Sequence, residues 1–118
     1  MKIELPFPHK LLWPNGSEGT RRGRAGAAKR HKDWAWAATM EVAPRCFKHN
    51  GETIPVTLHV HPKSRGPEPD RDNCVAAAKH YLDGIALALG VNDRTFAAPL
   101  VVFGPRTSRF VIEIGGEQ

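Results

Sequence analysis

The sequence predicts an α+β protein: one small domain in which a mixed β-sheet of about four strands is covered by two main helices. Three observations predict this fold class. Apolar and polar residues alternate in a strand-like segment. Apolar residues recur at steps of three and four in a second segment that ends at a glycine. A third segment is rich in alanine and ends near a proline. With 118 residues, 41% of them hydrophobic, the chain suits one compact core rather than two. We therefore expect helices packed against a small sheet.

Four segments have the composition of β-strands. In residues 53–61 apolar and polar side chains alternate with period two, the pattern of a half-buried strand. Residues 3–5, 100–103 and 109–114 are shorter segments that we also expect to form strands. Pro55 indicates that the second strand starts at an edge of the sheet. A Gly-Pro turn separates the last two strands, so we expect a hairpin-like connection between them.

The first predicted helix spans residues 25–42, which are rich in alanine and precede Pro44. Trp34 and Trp36 lie within this segment. Because both side chains are large and apolar, we expect them in the core or at a contact between two copies of the chain. The basic, glycine-containing segment before this helix is expected to be a loop.

The second predicted helix spans residues 73–89, where apolar residues recur on one face. Asp72 or Asn73 is expected to cap its start. Gly90 is expected to end it, because glycine adopts the left-handed backbone at low cost. At about 100° per residue, a second stripe of this helix carries two carboxylates and one ammonium group. The members of this stripe are Asp72, Ala76, Lys79 and Asp83.

Acidic side chains concentrate around this helix. Asp70 and Asp72 are two residues apart, so on an extended segment both carboxylates leave the same side of the backbone. Asp93 follows Gly90 on a short connection that can fold back beside the helix. Clustered carboxylates raise one another's pKa unless a cation holds them ionised, and oxygen ligands of this kind suit Mg²⁺. The cluster therefore predicts phosphoryl or phosphodiester transfer.

The order of these residues resembles that of the RusA-like Holliday junction resolvases, small dimeric Mg²⁺-dependent endonucleases common on phage and prophage genomes. The shared pattern is Asp-x-Asp-Asn, a helix, a glycine and an aspartate. Residues 5–8 and 14–15 look like the family's N-terminal segment, so the resemblance covers most of the chain. The positions with counterparts are Asp70, Asp72, Asn73, Lys79, Asp83, Gly90 and Asp93.

The resemblance implies a reaction and a set of site residues. The reaction is hydrolysis of a DNA phosphodiester at a branched structure such as a four-way junction, by a homodimer in the cytoplasm of a bacterial cell. Mg²⁺ is the implied cofactor, with Mn²⁺ as a substitute and no organic cofactor. Lys79 would stabilise charge on the scissile phosphate. The implied metal ligands are Asp70, Asp72, Asp93 and, in a lesser role, Asp83.

Two positions depart from the family pattern. Ala76 stands where the family usually has its lysine, and we expect Lys79, one turn further on, to replace it. Asn92 stands where many members have a second acid.

The net charge of +5 favours a polyanionic partner. Arg21, Arg22, Arg24, Lys29, Arg30 and Lys32 occur with no acid before Asp33 and could follow DNA phosphates, although a solvated loop would have the same composition. Trp13 is the tryptophan expected to face DNA, where an aromatic ring can stack on an unpaired base. The predicted DNA contacts are Asn15, Arg21, Arg22, Arg24, Lys29, Arg30, Lys63, Arg65 and Arg71.

Other readings of the sequence carry less weight. The spacing of Cys46, His49, His59 and His61 matches no standard zinc pattern, and histidines on the polar face of a strand need no metal. Cys46 and Cys74 are expected to be free thiols. No apolar run long enough for a membrane span and no signal peptide is recognised, so we expect a cytoplasmic protein.

Two other functions stay open. One is a DNA-binding relative that has lost catalysis, which Ala76 would favour. The other is a nuclease of the same chemistry that acts on flaps, single strands or other branched DNA.

Overall fold

The structure is a computed structural model that describes residues 1–14, 21–43 and 51–115. The strands of these residues are β1 (Lys2–Pro6), β2 (Val56–His61), β3 (Leu100–Phe103) and β4 (Arg109–Ile114), and the α-helices are α1 (Arg21–Val42), α2 (Arg71–Ala77) and α3 (Lys79–Leu89). Short 3₁₀ turns lie at Lys10–Leu12 and Asp93–Thr95. The predicted α+β architecture with a mixed four-stranded sheet is confirmed, and β3 and β4 have the predicted bounds.

The sheet has the strand order β1-β4-β2-β3. β4 is antiparallel to β1 and β2, whereas β3 is parallel to β2. The predicted hairpin is therefore wrong, because β2 lies between β3 and β4. Their connection crosses the end of β2, where Gly104 N–H donates to the Val60 carbonyl (2.9 Å) and Ser108 N–H to the Pro62 carbonyl (3.0 Å). The predicted edge position of Pro55 is also wrong, since this proline precedes the first paired residue of an interior strand.

Helices cover one face of the sheet. Tyr81, Ile85 and Leu89 of α3 and Ala35 of α1 belong to the same core cluster as the inward strand residues. Each large apolar side chain buried in this way contributes about 1.5–3 kcal/mol. The opposite face carries polar residues together with the exposed Leu100. The buried strand residues are Ile3, Leu5, Val56, Leu58, Val60, Val101, Phe110, Ile112 and Ile114.

Small residues allow α1 and α3 to approach closely. A Cβ atom at Gly84 of α3 would lie 2.1 Å from the carbonyl oxygen of Lys32, so a glycine is needed at this contact. Trp34 and Trp36 lie outside the buried row of α1 and are 44% and 43% exposed. The prediction that they lie in the core is therefore wrong, because another row of α1 faces the core. The buried row is Ala27, His31, Ala35 and Thr39, at a spacing of four.

α1 begins at Arg21, so the basic segment predicted as a loop is helical. Gly23 and Gly26 lie inside this helix, where each glycine costs about 1 kcal/mol relative to alanine. Packing of the four-residue row against α3 and β1 offsets that cost, which local composition could not indicate.

The second predicted helix is divided at Ala78, which has helical dihedral angles (φ −85°, ψ −6°) but belongs to neither α2 nor α3. Its N–H donates to the carbonyls of both Cys74 (3.0 Å) and Val75 (3.2 Å), which indicates a tightened turn. The stripe drawn for one continuous helix therefore crosses a break between Ala76 and Lys79.

The predicted start of this helical segment is wrong, and its predicted end is confirmed. Asp70 is the N-cap of α2, so Asp72 and Asn73 lie inside the helix rather than at its cap. Gly90 ends α3 in the left-handed conformation (φ 72°, ψ 29°). Val91 N–H then donates to the Ala86 carbonyl (3.0 Å), as in a Schellman motif.

No helix within residues 1–14, 21–43 and 51–115 is long and apolar enough to cross a membrane.

Candidate functional site

Asp70 marks the point where the loop after β2 becomes α2. Its backbone is extended (φ −68°, ψ 143°), its carbonyl accepts from Cys74 N–H (3.0 Å), and its side chain makes no capping hydrogen bond. Asp70 and Asp72 are both exposed. Because the helix begins at Arg71, the two carboxylates are not related by strand alternation, and that argument for pairing them is wrong.

Arg71 fastens α2 to the edge strand of the sheet. One guanidinium nitrogen donates to the Val101 carbonyl of β3. The guanidinium carbon lies 5.1 Å from the centroid of the Phe103 ring, within the range of a cation–π contact. Arg71 thus positions the start of α2, while its predicted contact with DNA stays a prediction.

Lys79 and Asp83 form a pair at the start of α3. The Lys79 Nζ and His80 Nδ1 atoms each lie 3.9 Å from Oδ2 of Asp83. The Lys79 side chain is largely exposed and that of Asp83 is about one quarter exposed. To reach a phosphate, Lys79 must leave Asp83, and an ion pair at the surface opposes this only weakly.

Asp93 opens the 3₁₀ turn that follows α3. Asn92 caps this turn, with its side-chain oxygen accepting from Arg94 N–H (2.9 Å). The turn is tied to the start of the sheet because Ile54 N–H donates to the Thr95 carbonyl (2.8 Å). Asn92 thus has a structural role in presenting Asp93.

The predicted metal ligands do not form a preformed cage. Among the residues that the structure describes, no three His, Cys, Asp or Glu side chains converge on a point that could hold a metal ion. The donor chemistry nevertheless fits Mg²⁺, which is usually held by one or two carboxylates, retained waters and substrate phosphate oxygens. The exposed pair Asp70 and Asp72 supplies that type of ligand, and Mg²⁺ binding stays a prediction.

A pocket of about 480 Å³ lies beside Asp70. Its aromatic wall is Phe7 and Trp13, and its opposite wall is the loop from Lys63 to Pro69. This volume is in the range of about 300–1,000 Å³ typical of small-molecule sites. The remaining polar lining residues are Lys10, Lys63, Arg65, Glu68, Asp70 and Asn73.

Arg106 holds the loop wall of this pocket, a role that the sequence did not indicate. Its guanidinium donates to the carbonyls of Lys63 (2.8 Å) and Gly66 (3.0 Å). Gly66 has φ +100°, a backbone conformation that favours glycine. No local sequence pattern could indicate this contact, because Arg106 follows the loop by about forty residues.

The predicted DNA contacts on α1 do not form one stripe. At about 100° per residue, Arg22 and Lys29 lie opposite the buried row, whereas Arg24 lies in line with it but ahead of its first member. Lys29 pairs with Asp33 (2.9 Å), and both side chains are exposed. Asn15, another predicted contact, lies outside the described residues.

In the part of the chain that the structure describes, His59, His61 and Cys74 have partners or positions that need no metal. His59 Nε2 lies 2.9 Å from the Glu113 carboxylate, and this hydrogen bond lowers the pKa of Glu113. His61 Nδ1 donates to the Pro105 carbonyl (2.9 Å). Cys74 is a free, buried thiol, and burial raises its pKa to about 11. Cys46 and His49 lie outside the described residues.

His31 is a buried residue that sequence reasoning missed. Its Nδ1–H donates to the Ala27 carbonyl (2.7 Å) and its Nε2 accepts from His9 N–H (3.0 Å), so the neutral ring ties α1 to the N-terminal segment. The ring stacks on Tyr81, with centroids 5.1 Å apart. Burial lowers the pKa of His31 and outweighs the Ala27 hydrogen bond, which acts to raise it.

No protein-family model matches the chain. A curated protein of Xylella fastidiosa (strain Temecula1 / ATCC 700964), described as an uncharacterized protein, is 37% identical over 107 residues, which cover 84% of this chain and 65% of that protein. The chain thus spans less than two thirds of the length of this relative.

Proposed function

We propose that this chain is a Mg²⁺-dependent endodeoxyribonuclease that hydrolyses phosphodiester bonds at branched DNA, with resolution of four-way junctions as its reaction. The observation that carries the proposal is the position of Asp70, which lines the same pocket as Lys63 and Arg65. A carboxylate side chain that can hold a divalent cation and two basic side chains that can hold a phosphate thus line one pocket. The branched-DNA substrate comes from the resemblance of residues 70–93 to the RusA-like resolvases.

In this proposal the chain's own residues bind and orient the DNA strand. Asp70 and Asp72 at the start of α2, with Asp93 from the 3₁₀ turn, would hold Mg²⁺. When bound, the ion lowers the pKa of a water and neutralises charge on the phosphate. Lys79 would stabilise the charge that develops on the phosphate, and Asp83 would keep the lysine near the site until DNA arrives.

A second candidate is a DNA-binding relative that no longer cleaves. Ala76 in place of the family lysine favours it. So does the finding that the described carboxylates do not converge in a group of three. A nuclease that acts on flaps or single strands is a variant of the first proposal with the same site.

The assembly and the location are part of the proposal. A four-way junction presents two strands for symmetric cuts, so a two-fold homodimer with two sites is the economical arrangement. The cytoplasm of a bacterial cell, with the gene in host, phage or prophage DNA, is the proposed location.

The first prediction concerns the proposed metal ligands. Asp70→Asn, Asp72→Asn and Asp93→Asn should each abolish Mg²⁺-dependent nicking of a four-way junction, because each removes an anionic ligand, while junction binding stays within a few-fold. Asp83→Asn should cost less. Asp33→Asn is the matched control, since this exposed acid lies on α1 and pairs with Lys29.

Lys79 is tested in the same assay. Lys79→Ala should lower the nicking rate far more than it weakens binding, and Ala76→Lys in that background should restore part of the rate. A parent protein that binds the junction without nicking it would favour the second candidate. An aspartate whose replacement leaves the rate within a few-fold of the parent is not a ligand.

A further inference from the structure

We infer that the pocket between the Phe7–Trp13 aromatic pair and the loop before α2 binds one unpaired nucleobase of the DNA strand. This inference rests on the proposed function, because it takes the strand that reaches Asp70 to be DNA. It adds a specific site to that proposal: a place where one base leaves the stack and is held by the protein.

The aromatic wall packs against the core and offers a stacking surface. The Phe7 and Trp13 rings are stacked, with centroids 5.2 Å apart and planes 20° from parallel. Both meet the buried Phe110 edge-on, at 5.3 Å and 6.0 Å. Trp13 Nε1–H donates to the Pro8 carbonyl (3.1 Å), which sets the ring's orientation. A nucleobase can therefore stack on an aromatic surface that is already ordered.

The loop wall is ordered by a different set of contacts. Arg106 holds the carbonyls of Lys63 and Gly66, and Pro67 and Pro69 restrict the backbone between Gly66 and α2. Because both walls are ordered before a ligand enters, little conformational entropy is lost on binding.

The charges of the pocket suit a nucleotide rather than a neutral aromatic ligand. Lys10, Lys63 and Arg65 line it, and the Lys63 Nζ atom lies 5.5 Å from the centroid of the Phe7 ring. These cations can hold the phosphates on either side of the unpaired base. Asn73 on α2 also lines the pocket and offers an amide donor and an acceptor to a base edge.

The pocket adjoins the proposed site of cleavage through a shared residue. Asp70 is both a lining residue of the pocket and the first residue of the proposed metal site. A base held in the pocket therefore places its own nucleotide, or the next one, beside Asp70. The ligand class is an unpaired nucleotide within a DNA strand, as occurs at a branch point, a bulge or a flap.

The test compares two DNA probes in buffer with EDTA, so that no cleavage occurs. One is a duplex with a single unpaired thymidine, and the other has an abasic nucleotide at the same position. The parent protein should bind the thymidine probe about 5- to 150-fold more tightly, the range expected for one stacked base. Trp13→Ala should remove this preference. The control Leu87→Ala, which removes an apolar side chain that is 61% exposed on α3, should keep it.

Photocrosslinking of the unmodified protein keeps the inference testable if Trp13→Ala does not fold. 5-Iododeoxyuridine at the unpaired position should crosslink to Phe7 or Trp13. Equal affinity for both probes, or crosslinks at Trp34 or Trp36 instead, would overturn the inference. Equal affinity for both probes that is lost in Lys63→Ala also overturns it, because the pocket would then bind phosphate alone.

The outcomes separate this inference from the proposed nuclease function. A protein that nicks junctions but does not distinguish the two probes is a nuclease without a base pocket. A protein that prefers the unpaired thymidine but never nicks with Mg²⁺ has the pocket and lacks the proposed activity. A protein that binds neither probe overturns this inference, and its nicking of a four-way junction still decides the proposed function.

Discussion

Single residues decide how closely the helices of this fold approach. Gly84 is the clearest case, because its Cα faces the backbone of α1 at Lys32 and no side chain can fit. Ala35 lies at the same contact, 3.1 Å from a Cβ built at Gly84. The core therefore depends on two small residues as well as on the large ones that fill it.

The second prediction follows from this contact. Gly84→Ala should lower the free energy of unfolding by at least about 1–3 kcal/mol, because the added methyl group meets a backbone carbonyl that cannot move independently. Gly26→Ala is the control. A Cβ atom at Gly26 would meet only the Arg30 Nη1 atom, at an ordinary 3.6 Å, so this substitution should raise the free energy of unfolding by about 0.5–1 kcal/mol. Urea unfolding measures both. Equal effects of the two substitutions would contradict the close α1–α3 contact.

The third prediction concerns His31. Its pKa is lowered in the folded state, so between that value and the usual 6.5 the unfolded chain binds more protons, and stability rises with pH. Below this window the folded ring is protonated too, and Nε2 can no longer accept from His9 N–H. The charges of His9, Arg30 and His80 act in the same direction as burial.

Denaturation midpoints measured from pH 7.5 to pH 5 test this coupling. The parent should lose stability on acidification, and His31→Gln, which has no titrating ring, should lose less over the same range even if it is less stable at pH 7.5. A parallel loss in both proteins would assign the pH dependence to other groups. His59→Gln is the control, because His59 faces Glu113 on the other side of the sheet.

At the scale of elements, α1 has two parts with different chemistry. Residues 27–39 contribute the buried row to the core, whereas the first turn carries Arg21, Arg22 and Arg24, which spread over an arc of about 160° at about 100° per residue. That these arginines neutralise DNA phosphates stays a prediction.

The fourth prediction tests the start of α1. Replacing Arg21, Arg22 and Arg24 together with glutamine should flatten the log–log salt dependence of DNA binding, by about 0.9 for each duplex phosphate that the protein no longer neutralises. Lys2→Gln is the control, since Lys2 lies on β1, outside α1. A salt slope that does not change would assign these arginines to an ordinary solvated helix end.

At the scale of the whole molecule, the described chain leaves large apolar side chains exposed on both sides. Trp36 and Met40 lie one turn apart on α1, and Leu100 lies on the open face of the sheet, 65% exposed. The prediction that the tryptophans lie at a contact between two copies therefore stays open after their core position is excluded.

The fifth prediction is that the parent protein is a dimer in light scattering at micromolar concentration. Trp36→Ser should shift it towards the monomer, because the substitution removes a large apolar surface from the interface. Leu100→Ser, a change of similar kind on the other face of the sheet, is the control. A parent protein that is monomeric at this concentration would contradict the proposed two-site arrangement.

The sequence by itself determined the features that local rules control. Short apolar-rich segments bounded by turn residues located β3 and β4 to the residue, and Gly90 ended α3 as predicted, because a glycine after an apolar stripe is a local signal. The α+β class followed from the number and kind of these segments. The sequence also predicted that the basic residues Lys63 and Arg65 lie near Asp70, because all three are within ten residues of one another.

Only the tertiary structure decided which segments meet. The hairpin prediction failed because strand order depends on contacts between β2 and β4, which are distant in sequence. The helical start of α1 and the exposed tryptophans depend on packing of small residues against α3. The aromatic pocket beside Asp70 joins Trp13 to a loop fifty residues away, held by Arg106 from beyond β3. Contacts between such distant segments produce no periodic pattern in the sequence, because the sheet, and not the local sequence, brings the segments together.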